Sequence, residues 1–259
     1  MTKSVVLVGS GRLARSLAHA LRQSGYTIAQ VYSPTLQHAQ ALAEPLAAGF
    51  TNRLGEVKTD ADYYVIAVKD DAIPSVVSGL IAARGILIHT SGSTSIDVFK
   101  GVAKRYGVLY PLQTFSESLT PLVNVPIFIE GSSAEVVTEL EELGKSLSAK
   151  VAMLDSAGRL TLHIAAVYAC NFVNHLFTIA DKLMQTVGLP FELLKPLVEL
   201  TVTNAFKAKH PVDVQTGPAV RKDLSILKRH TELLAAYPDL QAIYQQLTDN
   251  ILFYKQRNE

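Results

Sequence analysis

The sequence predicts an α/β fold: a doubly wound parallel sheet in the N-terminal half, followed by an all-α C-terminal domain. Three observations carry this. Short runs rich in β-branched residues alternate with longer helical patterns through the first half, the pattern of repeated βα units. From Arg159 onward strand patterns stop and only long helical periodicities remain. With 259 residues, 48% apolar and 18% charged, the chain also has material for more than one core. The change of character near Leu154 and Asp155 sets domains of residues 1–154 and 155–259.

Each element has its own signal. Residues 5–8, Val-Val-Leu-Val, form the first strand, and residues 13–23 a helix closed by Gly25. Residues 27–32 make a second strand and 36–46 its helix. Runs at 63–68, 86–89 and 107–110 continue the strands, each followed by a loop. Strands at 125–130 and 150–154 bracket a helix over 134–147. Beyond that, helices are broken at Gly188-Leu189-Pro190 and across 210–218, where glycine and proline punctuate the pattern. A helix over 224–234 follows the second break.

The strongest motif follows the first strand directly. Gly9-Ser10-Gly11-Arg12-Leu13-Ala14 has the G-x-G-x-x-G/A form that opens the first helix of a Rossmann unit. Gly9 permits the tight turn, Gly11 lets backbone approach a pyrophosphate, and Ala14 lets the helix lie close on the sheet. The helix N-terminus then offers free N–H groups and a partial positive charge to phosphate. An NAD site normally carries a carboxylate at the end of the second strand. Here Val31-Tyr32-Ser33-Pro34-Thr35 has none, and Ser33 and Thr35 offer hydroxyls to a 2′-phosphate. Arg12 and His38 add positive charge, so the expected cofactor is NADP, with NAD as the alternative.

Ligands of open parallel sheets bind beyond the carboxyl ends of the strands. Val68 and Lys69 after one strand, and Thr90, Ser91 and Gly92 after the next, therefore belong to the cofactor rim. Ordinary turn chemistry and helix capping by serine account for the same hydroxyls. Gln113, in the polar loop after the following strand, is a candidate substrate-side amide.

On the first helix of the second domain, about 100° per residue puts His163, Asn171, Asn174, His175 and Thr178 within roughly 120° of arc. Short neutral polar groups replace the usual Lys and Glu there, which suits an enclosed cleft lining; a helix–helix interface with satisfied amides is the alternative. His163 is the acid–base candidate, because imidazole titrates near neutrality. Asn171 is the candidate for orienting a carbonyl or imine.

Other classes find less support. The net charge of +1 gives no field to recruit nucleic acid, and lysines and arginines are scattered. The seven histidines are dispersed, and no spacing reads as a metal ligand set. The single cysteine, Cys170, permits no intrachain disulfide and suits a reducing cytoplasm. The first strand begins too early for a signal peptide. The apolar run 162–177 is interrupted by His163, Asn171, Asn174 and His175, so no membrane span is expected.

Taken together, the glycine turn, Ala67-Val68-Lys69-Asp70-Asp71-Ala72-Ile73, His89-Thr90-Ser91-Gly92 and Tyr110-Pro111-Leu112-Gln113-Thr114-Phe115 follow the order of a known family. His163-Ile164-Ala165-Ala166 with Asn171, and Thr216-Gly217-Pro218-Ala219-Val220-Arg221-Lys222-Asp223, continue the match. The chain resembles a bacterial family of Rossmann-like proteins classed as NADP oxidoreductases, whose helical C-terminal domain has no assigned function. More distantly it is similar to pyrroline-5-carboxylate reductase, 6-phosphogluconate dehydrogenase and deazaflavin-dependent NADP oxidoreductases. The resemblance implies a C-terminal domain that makes a homodimer, with a cleft between the domains. It also implies a structured turn holding Arg221 and Asp223, as an ion pair or with Arg221 facing a substrate carboxylate. The hydroxyacid-dehydrogenase branch uses a helical lysine where His163 stands here, which speaks against that chemistry.

The expected function is hydride transfer between NADP(H) and a small carbonyl or imine, with His163 handling the proton. Binding of NADP(H) without turnover, as a redox sensor or scaffold, is the alternative, and hydride exchange with a flavin or deazaflavin a narrower one.

Overall fold

A computed structural model describes residues 2–257, which form two compact units meeting at Ala169 and Cys170. The first unit contains β1 (Ser4–Val8), α1 (Arg12–Gln23), β2 (Thr27–Tyr32), α2 (Leu36–Ala43), β3 (Gly49–Thr51), β4 (Tyr63–Ile66) and α3 (Ile73–Gly79). It continues through β5 (Ile86–His89), β6 (Tyr106–Pro111), β7 (Ile127–Gly131), α4 (Ala134–Leu147), β8 (Val151–Met153) and α5 (Ser156–Ala166). The strands form one sheet in the order β3-β2-β1-β4-β5-β6-β7-β8. The chain winds outward from β1 and then from β4, so the switch point lies between those two strands.

The register brings the strand ends to one edge. Val8 pairs with both Tyr32 and Ile66, and Ile66 pairs with His89. Gly9, Ser33, Ala67 and Thr90 therefore all open loops on the same rim. Alternation along β1 divides the core: Val5 and Leu7 pack with Leu17, Leu21 and Leu140 on one face. Val6 and Val8 pack with Ile66, Val77 and Phe99 on the other. This double burial is what a continuous apolar strand sequence implies.

Three features depart from the sequence reading. The sheet is parallel except at β6–β7, which are antiparallel. Residues 112–126 contain no helix, and without a crossover the chain returns in the opposite direction. The edge strand β3 has three residues, too few to show a period. The helix α3 has seven, with proline in its first turn and weak helix formers Val, Ser and Gly after it.

The sheet gives way to helices at Asp155, yet the units divide only after Ala169, about four helical turns later in the chain. The reason is that Arg159 fastens α5 to the sheet. A π-helical turn, Val167–Phe172, then joins α5 to α6 (Val173–Thr186). Each residue of this wider turn advances by less than about 100°, so the angles of Asn171 and the residues after it shift relative to His163. By length and composition the helix Ser156–Thr186 could cross a membrane. Its lower turns, however, belong to the sheet unit.

The second unit holds α6, α7 (Lys195–Lys207), α8 (Leu224–Leu233) and α9 (Pro238–Arg257). The Phe177 and Phe191 rings meet at 6.1 Å, and His230 and Tyr244 join α8 to α9 at 2.9 Å. Asp223 does not pair with Arg221. Its carboxylate caps α8 by accepting from the Ile226 N–H and the Ser225 hydroxyl. Among the described residues of this unit only Ala219, Leu234 and Thr248 are buried, while Phe206, Leu224 and Leu233 are largely exposed.

Candidate active site

At the switch point the glycine turn is shaped by two different demands. Gly9 has φ +127°, and a Cβ there would lie 2.2 Å from the Ala67 carbonyl oxygen. No side chain fits. At Gly11, by contrast, a Cβ would meet no atom within 4 Å. The fold itself does not require glycine at that position; an open approach to the α1 N-terminus does. Helix α1 has no side-chain cap and no acidic residue in its first turn, so its leading N–H groups are available to an anion. Ala14 is fully buried against the sheet.

Two cavities flank this turn. One of about 710 Å³ runs from Gly9 and Gly11 past Ser33 and Pro34 to Val68, Lys69 and Ala72. The other, of about 510 Å³, is lined by Ser10, Arg12, Arg15 and His38, with Glu117 at its mouth. Arg12 pairs with Glu117, whose carboxyl it holds below the usual range. Ser33 is buried and accepts from the Ser10 hydroxyl at 2.9 Å. Leu13 also lines the larger cavity, whereas Thr35 lines neither and its carbonyl accepts from His38 and Ala39 in the first turn of α2. An uncapped helix end, basic side chains and a β2 terminus without a carboxylate all fit a phosphorylated dinucleotide.

The loop after β5 is built mainly for its own structure. The Thr90 hydroxyl donates to the Ile66 carbonyl at 3.2 Å, and the Ser91 hydroxyl accepts from the Ser93 and Thr94 N–H groups. Ser93 donates to Asp70 across the gap from the loop after β4. Beneath them, His89 is fully buried, and its Nδ1 accepts from the Ser91 N–H at 3.2 Å. Burial, and secondarily Arg159, push its pKa down to about 3, so the ring is neutral with its proton on Nε2.

Gly92 is buried for a reason that sequence reading did not supply. A Cβ there would lie 2.8 Å from both His163 Nδ1 and Tyr110 Cζ. The space a side chain would need is taken by two rings. The Tyr110 hydroxyl lies 3.2 Å from His163 Nδ1, with the rings edge-on at 76°. Tyr110 sits near the end of β6, and burial first, then Asp70, raise its phenol above the usual range.

The fastening of α5 places His163 there. Arg159 is 1% exposed and donates to Glu130 at 2.5 Å, to the Thr94 carbonyl at 2.6 Å and to Ser156 at 3.1 Å. Ser156 in turn accepts from the Ile96 N–H and donates to Glu130. Helix α5 is thus locked to β7 and to the serine loop, and His163 projects one turn after Arg159 on the same face. Neither Tyr110 nor Arg159 was singled out from the sequence. Asn171 is exposed and lies in the π turn, in the helical unit. Gln113 turns its amide oxygen onto the Thr114 N–H. Among the described residues no cluster of His, Cys, Asp and Glu could hold a metal ion.

The comparisons agree with this geometry. Residues 4–92 match the family "NADP oxidoreductase coenzyme F420-dependent", and residues 125–251 match a domain of unknown function, DUF2520. A crystal structure described as a putative NADP oxidoreductase from Bacteroides fragilis is 37% identical, with a TM-score of 0.89, over 97% of this chain and 98% of that one. A protein from Thermotoga maritima is 21% identical, with a TM-score of 0.73, over 98% and 99% of the two chains. An imine reductase from Myxococcus stipitatus, solved with NADP+, is 16% identical, with a TM-score of 0.65, over 98% and 93%. Among curated protein sequences none matches significantly. The fold, the glycine turn and the identity across nearly the whole chain lead to one conclusion: this chain belongs to the NADP oxidoreductase family in which a Rossmann domain precedes a DUF2520 domain.

Proposed function

We propose that the chain reduces a small carbonyl or imine at the expense of NADPH, or runs the reverse oxidation. One observation carries this reading: the cavity opening on the glycine turn and the Tyr110–His163 pair lie on one rim, beyond the carboxyl ends of the parallel strands β1, β4, β5 and β6. When bound, the nicotinamide supplies or accepts the hydride. The chain's own residues bind, position and move the proton. Gly9, Ser10, Gly11, Leu13 and Ala14 shape the turn that receives the pyrophosphate, and Val68 and Lys69 wall the groove. Arg12, His38 and Ser33 answer the 2′-phosphate. In this reading Thr90, Ser91 and Gly92 hold the floor of the site rather than touch the cofactor. His163 exchanges the proton, and Asn171 is the candidate for orienting the reacting group. The 16% identical imine reductase shares the fold.

The helical unit is read as a homodimerisation surface of a cytoplasmic enzyme. Its large exposed apolar side chains and few buried residues describe helices that need a partner to cover them. Sedimentation of a monomer at micromolar concentration would remove that part.

The function is tested by calorimetry and turnover together. NADPH is expected to bind more tightly than NADH, and a panel of aldehydes, ketones, keto acids and cyclic imines to yield at least one substrate-dependent loss of NADPH absorbance. Binding without consumption on any member would identify a dinucleotide-binding protein without turnover. Absence of binding would sink both.

A further inference from the structure

We propose that Tyr110 is the catalytic proton donor of this site and that His163 acts behind it as the relay to solvent. The proposal deepens the oxidoreductase reading and rests on it. Four independent features converge on the pair. The Tyr110 oxygen and His163 Nδ1 are 3.2 Å apart, within reach of a proton transfer. Gly92 lies under both rings, and any larger residue would occupy the space that lets them meet. Arg159, fully buried and using both terminal nitrogens, fixes the helix turn that carries His163. Tyr110 comes from β6, on the same rim as the glycine turn, while His163 comes from α5, so two separate elements are brought together here.

The two rings differ in their access to water. Tyr110 is nearly buried and His163 is half-buried. A buried phenol kept protonated through the neutral range can give up its proton only to a group that needs it. A half-exposed imidazole can exchange with solvent. The order phenol first, imidazole second follows from that difference.

Hydride from the reduced nicotinamide adds to the electrophilic carbon of C=O or C=N, and the π pair moves to the heteroatom. The Tyr110 O–H bond breaks and an O–H or N–H bond forms on the product. His163 Nδ1–H reprotonates the phenolate, and the imidazole takes a proton from water at Nε2. One NADPH and one solvent proton are consumed per product. The charged and titratable groups bearing on the pair are Asp70 from the loop after β4 and Arg159 from α5.

Tyr110→Phe tests this with the ring retained. NADPH affinity should be unchanged by calorimetry, while kcat on the best substrate falls about 100-fold or more with KM little altered. His163→Gln should lower kcat less and move the alkaline limb of the pH profile. A second arm needs no cofactor: the ¹⁵N shifts of His163 should report a proton on Nδ1 in the wild type and change in Tyr110→Phe. Unchanged His163 shifts and a kcat within twofold of wild type would make Tyr110 a packing residue and overturn the proposal. A wild-type protein that shows the ring coupling but consumes no NADPH would instead overturn the oxidoreductase reading, and proton delivery with it.

Discussion

Tyr110 and His163, 53 positions apart in the chain, meet at 3.2 Å over a glycine that neither could share with a methyl group. Tyr110 is set by the sheet and His163 by Arg159, so the pair measures how well α5 is held on the strands. That dependence makes the site open to mutational tests.

Gly92→Ala should push the rings apart. Its Cβ would be 2.8 Å from His163 Nδ1 and Tyr110 Cζ, and overpacking of this kind costs about 1–3 kcal/mol. Thermal unfolding should show the loss, and turnover should fall more than NADPH affinity. Retention of both stability and kcat would show that the rings yield freely.

Gly9→Ala and Gly11→Ala should separate fold from binding. The first meets the Ala67 carbonyl at 2.2 Å in a conformation L-residues avoid, so denaturant melts should report marked destabilisation. The second meets nothing in the protein and should fold like wild type. Its affinity for NADPH should nevertheless drop at least tenfold by calorimetry. If Gly11→Ala binds as tightly as wild type, the pyrophosphate does not approach the helix there.

Arg159→Met should cost about 3–5 kcal/mol, because it leaves Glu130 without its buried cation. Arg159→Lys should recover little, since a single ammonium cannot reach Glu130, Thr94 and Ser156 together. The double variant Arg159→Met/Glu130→Gln should regain part of the loss in urea melts. If the single variant is as stable as wild type, α5 is not held by this pair.

His89 should make the protein sensitive to acid. Its folded pKa, about 3, lies below the 6.5 of the unfolded chain, so the unfolded state takes up the proton first. The stabilisation is complete above pH 6.5 and drains away as pH falls toward 3, at about 1.4 kcal/mol per pH unit. Urea midpoints should decline from pH 7 to 5, and His89→Asn, which keeps an acceptor and cannot ionise, should flatten that slope. An identical slope in the variant would assign the acid sensitivity elsewhere.

Much of the fold was legible in the chain. Strands β1, β4 and β5 are almost continuous apolar runs, β2 is apolar except at Thr27 and Gln30, and the turn from Gly9 to Ala14 has a spacing few other structures need. The breaks at Gly188 and around Pro211 are local backbone effects, and local effects are visible in sequence. The serines of the β5 loop were ambiguous, because a hydroxyl that caps a turn reads the same as one that meets a ligand. The π turn was hidden too. Nothing in Val167-Tyr168-Ala169-Cys170-Asn171-Phe172 departs from a helical pattern, and yet this stretch widens into the π turn.

By itself the sequence determined a dinucleotide turn, a sheet wound about it and a helical region after Asp155, since each depends on neighbours a few residues apart. Only the tertiary structure decided the antiparallel return of β7, the purpose of Gly92 and the meeting of Tyr110 with His163. Those relations join residues dozens of positions apart. What fixes them is steric fit across the sheet and the buried Arg159–Glu130 pair, which leave no periodic trace in the chain.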